Sequence, residues 1–178
     1  MTIRRALIGD IPAIRSVLAV TWRDTYSAFL SKAVIAKVTA EWHSPQILEA
    51  ETNRPSTFLG VAETGSHGIV GMITAHSQDD ILSITRLYVL PQFQCQGFGQ
   101  RLMEESWGAF PQTRRVRLDV EEQNPTGRSF YGKLGFAEVG ARIDDVGGSK
   151  VNSIVMEKVA NPNLWRLSMS RRWLIFRL

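Results

Sequence analysis

The stretch QCQGFGQR, Gln94–Arg101, decides how this sequence is interpreted. It follows the strand-like run Ile84–Pro91, and its two glycines, Gly97 and Gly99, stand at the junction between that strand and a predicted helix. Glycines at such a junction let the backbone approach a bound group, and the N–H groups and positive end of the following helix attract an anion. The same glycines are also typical of a tight strand-to-helix turn. The loop alone leaves both interpretations open.

Two common phosphate-binding patterns do not fit this loop. A P-loop requires Lys followed by Ser or Thr, whereas the residues after Gly99 are Gln and Arg. A dinucleotide-binding fingerprint requires a third glycine, and that position holds Leu102. The pattern that remains is Gln/Arg-x-x-Gly-x-Gly/Ala at the start of a helix, which Gln94, Gly97 and Gly99 match.

The composition predicts one globular domain with a basic tail. The chain has 178 residues, of which 44% are hydrophobic and 21% charged, and these values are typical of a single domain. Residues 161–178 hold four arginines and no acid; without these four, 17 basic side chains face 17 acidic ones. The net charge therefore does not predict a nucleic-acid-binding face. We expect a domain at residues 1–159, a basic and aromatic tail at 160–178, and no nucleic-acid partner.

Other features of the composition indicate a cytoplasmic protein without a metal. The sequence contains no run of about 18 apolar residues, so it predicts no membrane span. The start MTIRRALIGD lacks the apolar region of a secretory signal. The single cysteine, Cys95, fits a reducing compartment. His43, His67 and His76 are scattered and lack metal-ligand spacing. We expect the tail to pack on the domain or in a homodimer interface.

Hydrophobic periodicity predicts alternating helices and strands. Ser31 and Ser44 are placed to cap helices, and Gly135 is placed to end one. Helices separate some strands and hairpins separate others, so we expect a mixed sheet. The predicted order is a strand at residues 3–6, two or three helices between residues 9 and 53, strands at 57–63, 68–76 and 81–90, a helix at 97–109, a strand at 114–121, a helix at 125–134, and strands at 136–143 and 150–159.

A second motif, VEEQNPTGRSFYGKLGFAEVG at Val120–Gly140, decides between the two interpretations of the loop. A helix that starts at Pro125 has Asn124 at its N-cap and places Arg128 and Tyr131 one turn apart. Alone, these residues are typical of a helix cap and of an aromatic at the edge of the core. Together with LYVLPQFQCQGFG upstream, they make the chain similar to the GCN5-related N-acetyltransferase (GNAT) superfamily over about residues 2–159.

The resemblance implies an α/β fold that binds acetyl-CoA as co-substrate. Its central mixed sheet is flanked by helices and splays between the fourth and fifth strands to admit the cofactor. Asn124 would bond the cofactor arm, and Arg128 is either a partner for a CoA phosphate or a solvated surface arginine. The remaining implied cofactor-binding residues are Leu87, Tyr88 and Val89 on the fourth strand, and Gln94, Cys95, Gln96, Gly97, Phe98, Gly99 and Gln100 in the pyrophosphate cradle.

The resemblance also implies direct attack of an amine on the thioester. Tyr131 stands at the family's position for the acid that protonates the leaving sulfur, since a phenol pKa near ~10 exceeds a thiol pKa near ~8.5. The N–H of Val89 is the candidate donor to the thioester oxygen. Many relatives carry a glutamate as general base where this chain has Ser83. Asp79 and Asp80 lie in the preceding turn, so no base is assigned.

The acceptor region is indicated by TWRDTYSAFLSKAVI, Thr21–Ile35. It resembles a branch of the family with a Trp-Arg-x-Thr-Tyr segment, some members of which act on polyamines or other small amines. Trp22 and Tyr26, four residues apart, either face the acceptor pocket or pack the helix on the sheet. The resemblance implies an N-acetyltransferase acting on a small, polyamine-like or amino-acid-like primary amine. The alternatives are a protein N-terminal or lysine acetyltransferase and a non-catalytic acyl-CoA-binding module.

Overall fold

Residues 1–159, the part of the chain that the computed structural model describes, form a mixed sheet with helices on both faces. The expected tail, 160–178, lies outside the described residues. The elements are β1 (Thr2–Arg5), α1 (Ile11–Tyr26), α2 (Lys32–Glu41), α3 (Pro45–Asn53), β2 (Thr57–Thr64), β3 (Gly68–Gln78), β4 (Ile81–Val89), α4 (Phe98–Gly108), β5 (Arg115–Glu121), α5 (Pro125–Lys133), β6 (Ala137–Val146) and β7 (Ser149–Val159).

The boundaries of several helices follow from local sequence signals. The Ser31 hydroxyl accepts a hydrogen bond from the N–H of Val34, and the Ser44 hydroxyl accepts one from Ile47, so both predicted caps are confirmed. The helix start expected at Gly9-Asp10 is confirmed, since α1 begins at Ile11 with Asp10 as its N-cap residue, but the Asp10 side chain makes no hydrogen bond to the first turn of α1. Its carboxylate instead accepts two hydrogen bonds from the Arg4 guanidinium, at 2.6 and 3.0 Å.

The last hairpin is tighter than the sequence predicts. The sequence favours a turn at Asp144–Gly148, but β6 continues to Val146 and β7 begins at Ser149. Only Gly147 and Gly148 remain between the strands, with φ of +62° and +97°. Two consecutive residues with positive φ close a two-residue hairpin, and glycine adopts that backbone without a steric cost.

The sheet has the strand order β1-β2-β3-β4-β5-β7-β6. Among the strands of residues 1–159 only the β4–β5 pair is parallel, and it extends only from Ile81, opposite Arg115, to Ile84, opposite Leu118. Beyond that point β4 runs on to Val89 and β5 to Glu121 without pairing with each other, although β4 still pairs with β3 and β5 with β7. The β3–β4 register shifts at the same level, next to Thr85. The predicted mixed sheet, splayed between its fourth and fifth strands, is confirmed.

Alternate residues of the strands bury against the two helical layers. On one face, Ile14 and Leu18 of α1 belong to a core cluster with Val61 and Met72. On the other face, Leu102 of α4 belongs to a second cluster, which includes Ile73, Val116, Leu118 and Val120. Neighbouring strand residues thus point to opposite faces, as a pleated sheet requires. None of the helices in residues 1–159 combines the length and apolar character needed to span a bilayer.

Candidate active site

The end of β4 presents a free strand edge to the splay. The N–H of Leu90 donates to Val70 of β3 at 2.9 Å, so the backbone groups of Val89, one residue earlier, point away from β3. They face the side on which β5 has ceased to pair. The Gln94 amide donates to the carbonyl of Val89 at 3.1 Å, in agreement with this direction. The half-buried segment 87–89 therefore offers backbone donors and acceptors to a molecule in the splay.

The loop after β4 exposes the start of α4. Cys95 and Gly97 both have a positive φ, +58° and +83°, and α4 begins at Phe98. Arg101 donates to the carbonyl of Gly97 at 3.1 Å, whereas the N–H groups of residues 98–100 donate to no group within residues 1–159. Free N–H groups at a helix start are suited to an anion.

The two glycines of the loop are required for different reasons. Gly97 adopts the left-handed backbone, and no heavy atom lies within 4 Å of the position that a Cβ would occupy. At Gly99 a Cβ would lie 3.1 Å from Cζ of Phe130, so this glycine lets α4 and α5 approach each other. The open space over Gly97 and the free N–H groups beyond it fit a pyrophosphate. The cradle itself stays a prediction.

The side chains of the loop mostly bind the protein's own groups. Gln96 donates to the carbonyl of Gln92 at 3.0 Å, and Gln100 donates to the carboxylate of Glu104 at 2.9 Å. Phe98 is buried, whereas Cys95 is exposed. The loop therefore offers a ligand chiefly its backbone.

The start of α5 lies across the splay from β4. Asn124 caps this helix, since its Oδ1 accepts a hydrogen bond from the N–H of Gly127 at 2.8 Å. The Arg128 guanidinium pairs with Glu138 at 2.7 Å on the surface, as expected of a solvated arginine. Contacts of Asn124 and Arg128 with a cofactor stay predictions.

Three polar side chains from three elements meet in the splay, and a fourth, Tyr131, lies nearby. The Tyr26 hydroxyl of α1 donates to Oε1 of Glu121 on β5 at 2.8 Å and lies 3.3 Å from the Tyr88 hydroxyl of β4. For Tyr131 of α5, burial and the negative charges of Tyr88 and Glu121 all raise the pKa of the phenol. We call Tyr26, Tyr88 and Glu121 the tyrosine–glutamate cluster.

Burial controls the protonation of this cluster and of Tyr131. It raises the pKa of Tyr88 to about 12 and the pKa values of Tyr26 and Tyr131 above their ordinary values. All three phenols therefore keep their protons at neutral pH. Burial also raises the pKa of the Glu121 carboxyl, although the hydrogen bond from Tyr26 favours the ionised form and offsets part of that rise.

Trp22 and Tyr26 occupy different positions relative to the site. Both side chains are buried, with only 4% of each exposed, and their ring centroids are 4.3 Å apart. The Tyr26 hydroxyl reaches the splay, while Trp22 packs behind it against His43, at 5.2 Å between ring centroids. Trp22 therefore packs in the core, next to the residues of the splay, and contacts of Trp22 and Tyr26 with an acceptor stay predictions.

Glu121 is the site residue that the sequence interpretation missed. Leu118 and Val120 point to the face covered by α4, so Asp119 and Glu121 point to the face covered by α1. The alternation of β5 was the available signal, but sequence alone does not show that β5 and β4 have separated at this level. Asp79 and Asp80 lie in the turn before β4, as expected, and Asp80 pairs with Arg115 at 3.1 Å.

Within residues 1–159 no group of three or more His, Cys, Asp or Glu side chains is arranged to hold a metal ion. Asp119, the other carboxylate on this face of β5, is paired with Arg142 at 2.9 Å, and Arg142 also bonds Asp144 at 2.8 Å. Tyr26 contributes a hydroxyl and no positive charge to Glu121. Glu121 is therefore the carboxylate of the splay that no cation neutralises within the described residues.

Comparisons with known proteins agree with this arrangement. A family model described as the Acetyltransferase (GNAT) family matches residues 14–136. A spermidine N(1)-acetyltransferase of Thermoplasma acidophilum is 27% identical over 163 residues, 88% of this chain and 95% of that protein. The crystal structure of PaiA N-acetyltransferase from Thermoplasma acidophilum in complex with coenzyme A superposes with a TM-score of 0.75 and 25% identity, over 89% of this chain and 98% of that one. The ribosomal-protein-alanine N-acetyltransferase of Brucella melitensis shares the fold, with a TM-score of 0.68 and 21% identity, over 90% of this chain and 100% of that one.

Proposed function

The chain belongs to the GNAT acetyltransferase family, and on that premise we propose that this N-acetyltransferase moves an acetyl group from acetyl-CoA directly to a small-molecule primary amine. Polyamines are the first candidates for the acceptor, because a relative at 27% identity is named as a spermidine N(1)-acetyltransferase. Small amino-acid-like amines are the next. We assign the activity to residues 1–159.

The observation that carries this proposal is the loss of pairing between β4 and β5 beyond Ile84 and Leu118. The gap has the free backbone edge of Val89 on one side and Asn124 on the other. The exposed start of α4 follows directly after β4. Such a gap admits an extended arm as an additional strand, with its phosphates at the helix start. Acetyl-CoA bound there would supply a thioester carbonyl open to attack by an amine.

Two groups of the chain are placed to assist that attack. The N–H of Val89 points into the splay and would bond the carbonyl oxygen as negative charge develops on it. The Tyr131 hydroxyl would donate its proton to the departing sulfur. Burial raises the pKa of Tyr131, so the phenol is protonated at neutral pH, and its hydroxyl makes no hydrogen bond with another group in residues 1–159. It is therefore free to bond a ligand.

The charge of the splay supports a cationic acceptor. The Glu121 carboxylate lies there without a cation, while Asp119 is neutralised by Arg142. A polyamine carries several ammonium groups, and an uncompensated carboxylate attracts them.

Thiol release from acetyl-CoA in the presence of spermidine, together with the mass of the product, tests this function. We expect one acetylated amine for each thiol released. Tight CoA binding without thiol release on spermidine or any other small primary amine would overturn the proposal and favour a binding module.

A further inference from the structure

The Glu121 carboxylate lies in the splay with a hydrogen bond from Tyr26 and without a salt bridge within residues 1–159. We propose that Glu121 is the proton acceptor for the ammonium group of the substrate, and that Tyr26 holds its carboxylate in position. This inference rests on the proposed function, since it concerns the same reaction. It supplies a general base in a chain that has Ser83 where many relatives carry a glutamate.

The position of Glu121 follows from the register of the sheet. Leu118 is the last residue of β5 paired with β4, and Glu121 lies three residues beyond it, inside the splay. Ser83 pairs with Arg117, below the point where the strands separate. The base position on β4 is therefore uncharged and lies in the part of the strand that still pairs with β5, whereas β5 brings the Glu121 carboxylate into the gap.

The orientation of the carboxylate is fixed by Tyr26. The 2.8 Å hydrogen bond from Tyr26 joins two residues that are 95 positions apart, and the ring of Tyr26 is held by its contact with Trp22. A single conformation of the carboxylate favours proton transfer, because efficient transfer requires the acceptor within hydrogen-bonding reach of the proton.

The surroundings of Glu121 suit a proton acceptor. The groups that face it are the hydroxyl of Tyr26 on α1, the phenols of Tyr88 on β4 and Tyr131 on α5, the amide of Asn124, and the carboxylate of Asp144 on β6. No ammonium or guanidinium group within residues 1–159 forms a salt bridge with Glu121, and its hydrogen bond from Tyr26 comes from a neutral hydroxyl. Burial raises that pKa, which makes the carboxylate a stronger base than one in water.

The proton balance of the reaction closes with Glu121 and Tyr131. The substrate ammonium loses one proton to the Glu121 carboxylate and gains a free lone pair. That lone pair forms the C–N bond with the thioester carbonyl carbon, the C–S bond breaks, and its electron pair leaves with the sulfur. Tyr131 donates its proton to the thiolate, and the second proton lost by the nitrogen restores the Tyr131 phenol. Glu121 then releases its proton to water.

Two substitutions of Glu121 separate this role from a structural one. Glu121→Gln keeps the size and the hydrogen-bond acceptor but removes the basicity, whereas Glu121→Asp keeps a carboxylate on a shorter side chain. We expect Glu121→Gln to lower kcat/KM for the amine by about 10²-fold or more, and Glu121→Asp to retain more activity than Glu121→Gln. Higher activity in Glu121→Gln than in Glu121→Asp would overturn the role.

The matched control is Glu122→Gln. Glu122 is the adjacent carboxylate and accepts a hydrogen bond from the side chain of Asn152 at 3.2 Å. Its substitution should leave kcat/KM unchanged. The dissociation constant of CoA, measured by calorimetry on each variant, should match that of the wild type, which shows that the fold and the cofactor site are intact.

The decisive readout is a series of acceptor amines with falling ammonium pKa. Amines that are already neutral do not need a base, so the defect of Glu121→Gln should shrink along the series. An equal defect for every amine, or wild-type activity in Glu121→Gln, would overturn the role of Glu121 while leaving the acetyltransferase function intact. Absence of turnover in the wild type itself would instead overturn the proposed function, and this inference with it.

Discussion

The Tyr26 hydroxyl donates a 2.8 Å hydrogen bond to Oε1 of Glu121 and thereby ties α1 to the end of β5. The same hydroxyl lies 3.3 Å from that of Tyr88 on β4. One phenol therefore connects the two strands at the level where their own hydrogen bonds have ended. A gap in a sheet leaves backbone groups unpaired, and here a side chain from the covering helix lies across the gap.

Tyr26→Phe should move the acid limb of the pH–rate profile to higher pH. The hydrogen bond from Tyr26 favours ionised Glu121, so its loss raises the pKa of the carboxyl further. Because Glu121 must be ionised to accept a proton, kcat/KM should begin to fall at a higher pH than in the wild type. The rates should converge well above that pKa. The control is Tyr88→Phe, which removes a hydroxyl that does not bond the carboxylate. An unmoved acid limb in Tyr26→Phe would contradict this account.

Tyr131→Phe should lower kcat by about 10²-fold, because it removes the hydroxyl that donates a proton to the leaving sulfur. The aromatic ring remains, so the dissociation constant of CoA should change little. Steady-state kinetics with saturating amine measures this effect. The ring contacts with Phe130 and Phe136, at 5.1 and 5.7 Å between centroids, are kept, so folding should not change. An unchanged kcat would show that the thiolate takes its proton elsewhere.

Gly97→Ala should weaken CoA binding, and Gly68→Ala provides its matched control. Both glycines have a positive φ, +83° and +65°, and at neither would an added Cβ have a heavy atom within 4 Å. Each substitution should therefore lower the free energy of unfolding by about 1 kcal/mol through backbone strain. Gly68 lies in the hairpin between β2 and β3, so only Gly97→Ala should also reduce CoA affinity in calorimetry. Equal CoA affinities in the two variants would mean that Gly97 serves only the turn.

Glu51→Gln should destabilise the fold by about 3 kcal/mol, since it leaves a half-buried guanidinium without its carboxylate. Arg86, just after the irregularity of β4, donates to both oxygens of Glu51 at 2.8 and 2.9 Å and thus holds α3 against the strand. Glu138→Gln breaks a surface pair with Arg128, in which the glutamate is 49% exposed, and should cost less than about 1 kcal/mol. Denaturant unfolding compares the two, and equal losses would refute the anchoring role of Arg86.

His43 should make the protein less stable as the pH falls. Burial lowers the pKa of His43 to about 3, from 6.5, so the unfolded chain binds its proton first. The titration of His43 does not reduce the free energy of unfolding above about pH 6.5. Below that pH the free energy of unfolding declines by up to about 1.4 kcal/mol per pH unit as the pH falls toward 3. The decline should be smaller in His43→Gln and unchanged in His67→Gln, a substitution on the surface. Thermal unfolding between pH 7 and 4 measures it, and an identical slope in His43→Gln would exclude His43 as the cause.

The parts of the fold that depend on local chemistry could be predicted from the sequence. Ser31 and Ser44 cap helices through their own neighbours, and Gly97 marks a left-handed turn that other residues rarely adopt. The partner of the Asp10 carboxylate could not be predicted in this way. Asp10 has the sequence position of a cap, but Arg4 from the adjacent strand binds its carboxylate instead.

The site could be predicted only in part, for the same reason. The loop and Tyr131 belong to contiguous motifs, whereas Glu121 becomes a site residue only because β4 and β5 separate after Leu118. The sequence also shows two adjacent glutamates, Glu121 and Glu122, and does not show where the strand ends and the gap begins. The separation of β4 and β5 and the contact with Tyr26 decide that question, and the second of these joins residues far apart in the chain.

The most direct test of the account is a competition for acetyl-CoA among spermidine, a peptide with a free N-terminal alanine and a peptide with an internal lysine, all at equal concentration. The measured quantity is the ratio of acetylated products by mass spectrometry. The account predicts that acetylspermidine, or another small acetylated amine added to the mixture, dominates. Preferential acetylation of either peptide would contradict the assignment to small-molecule amines.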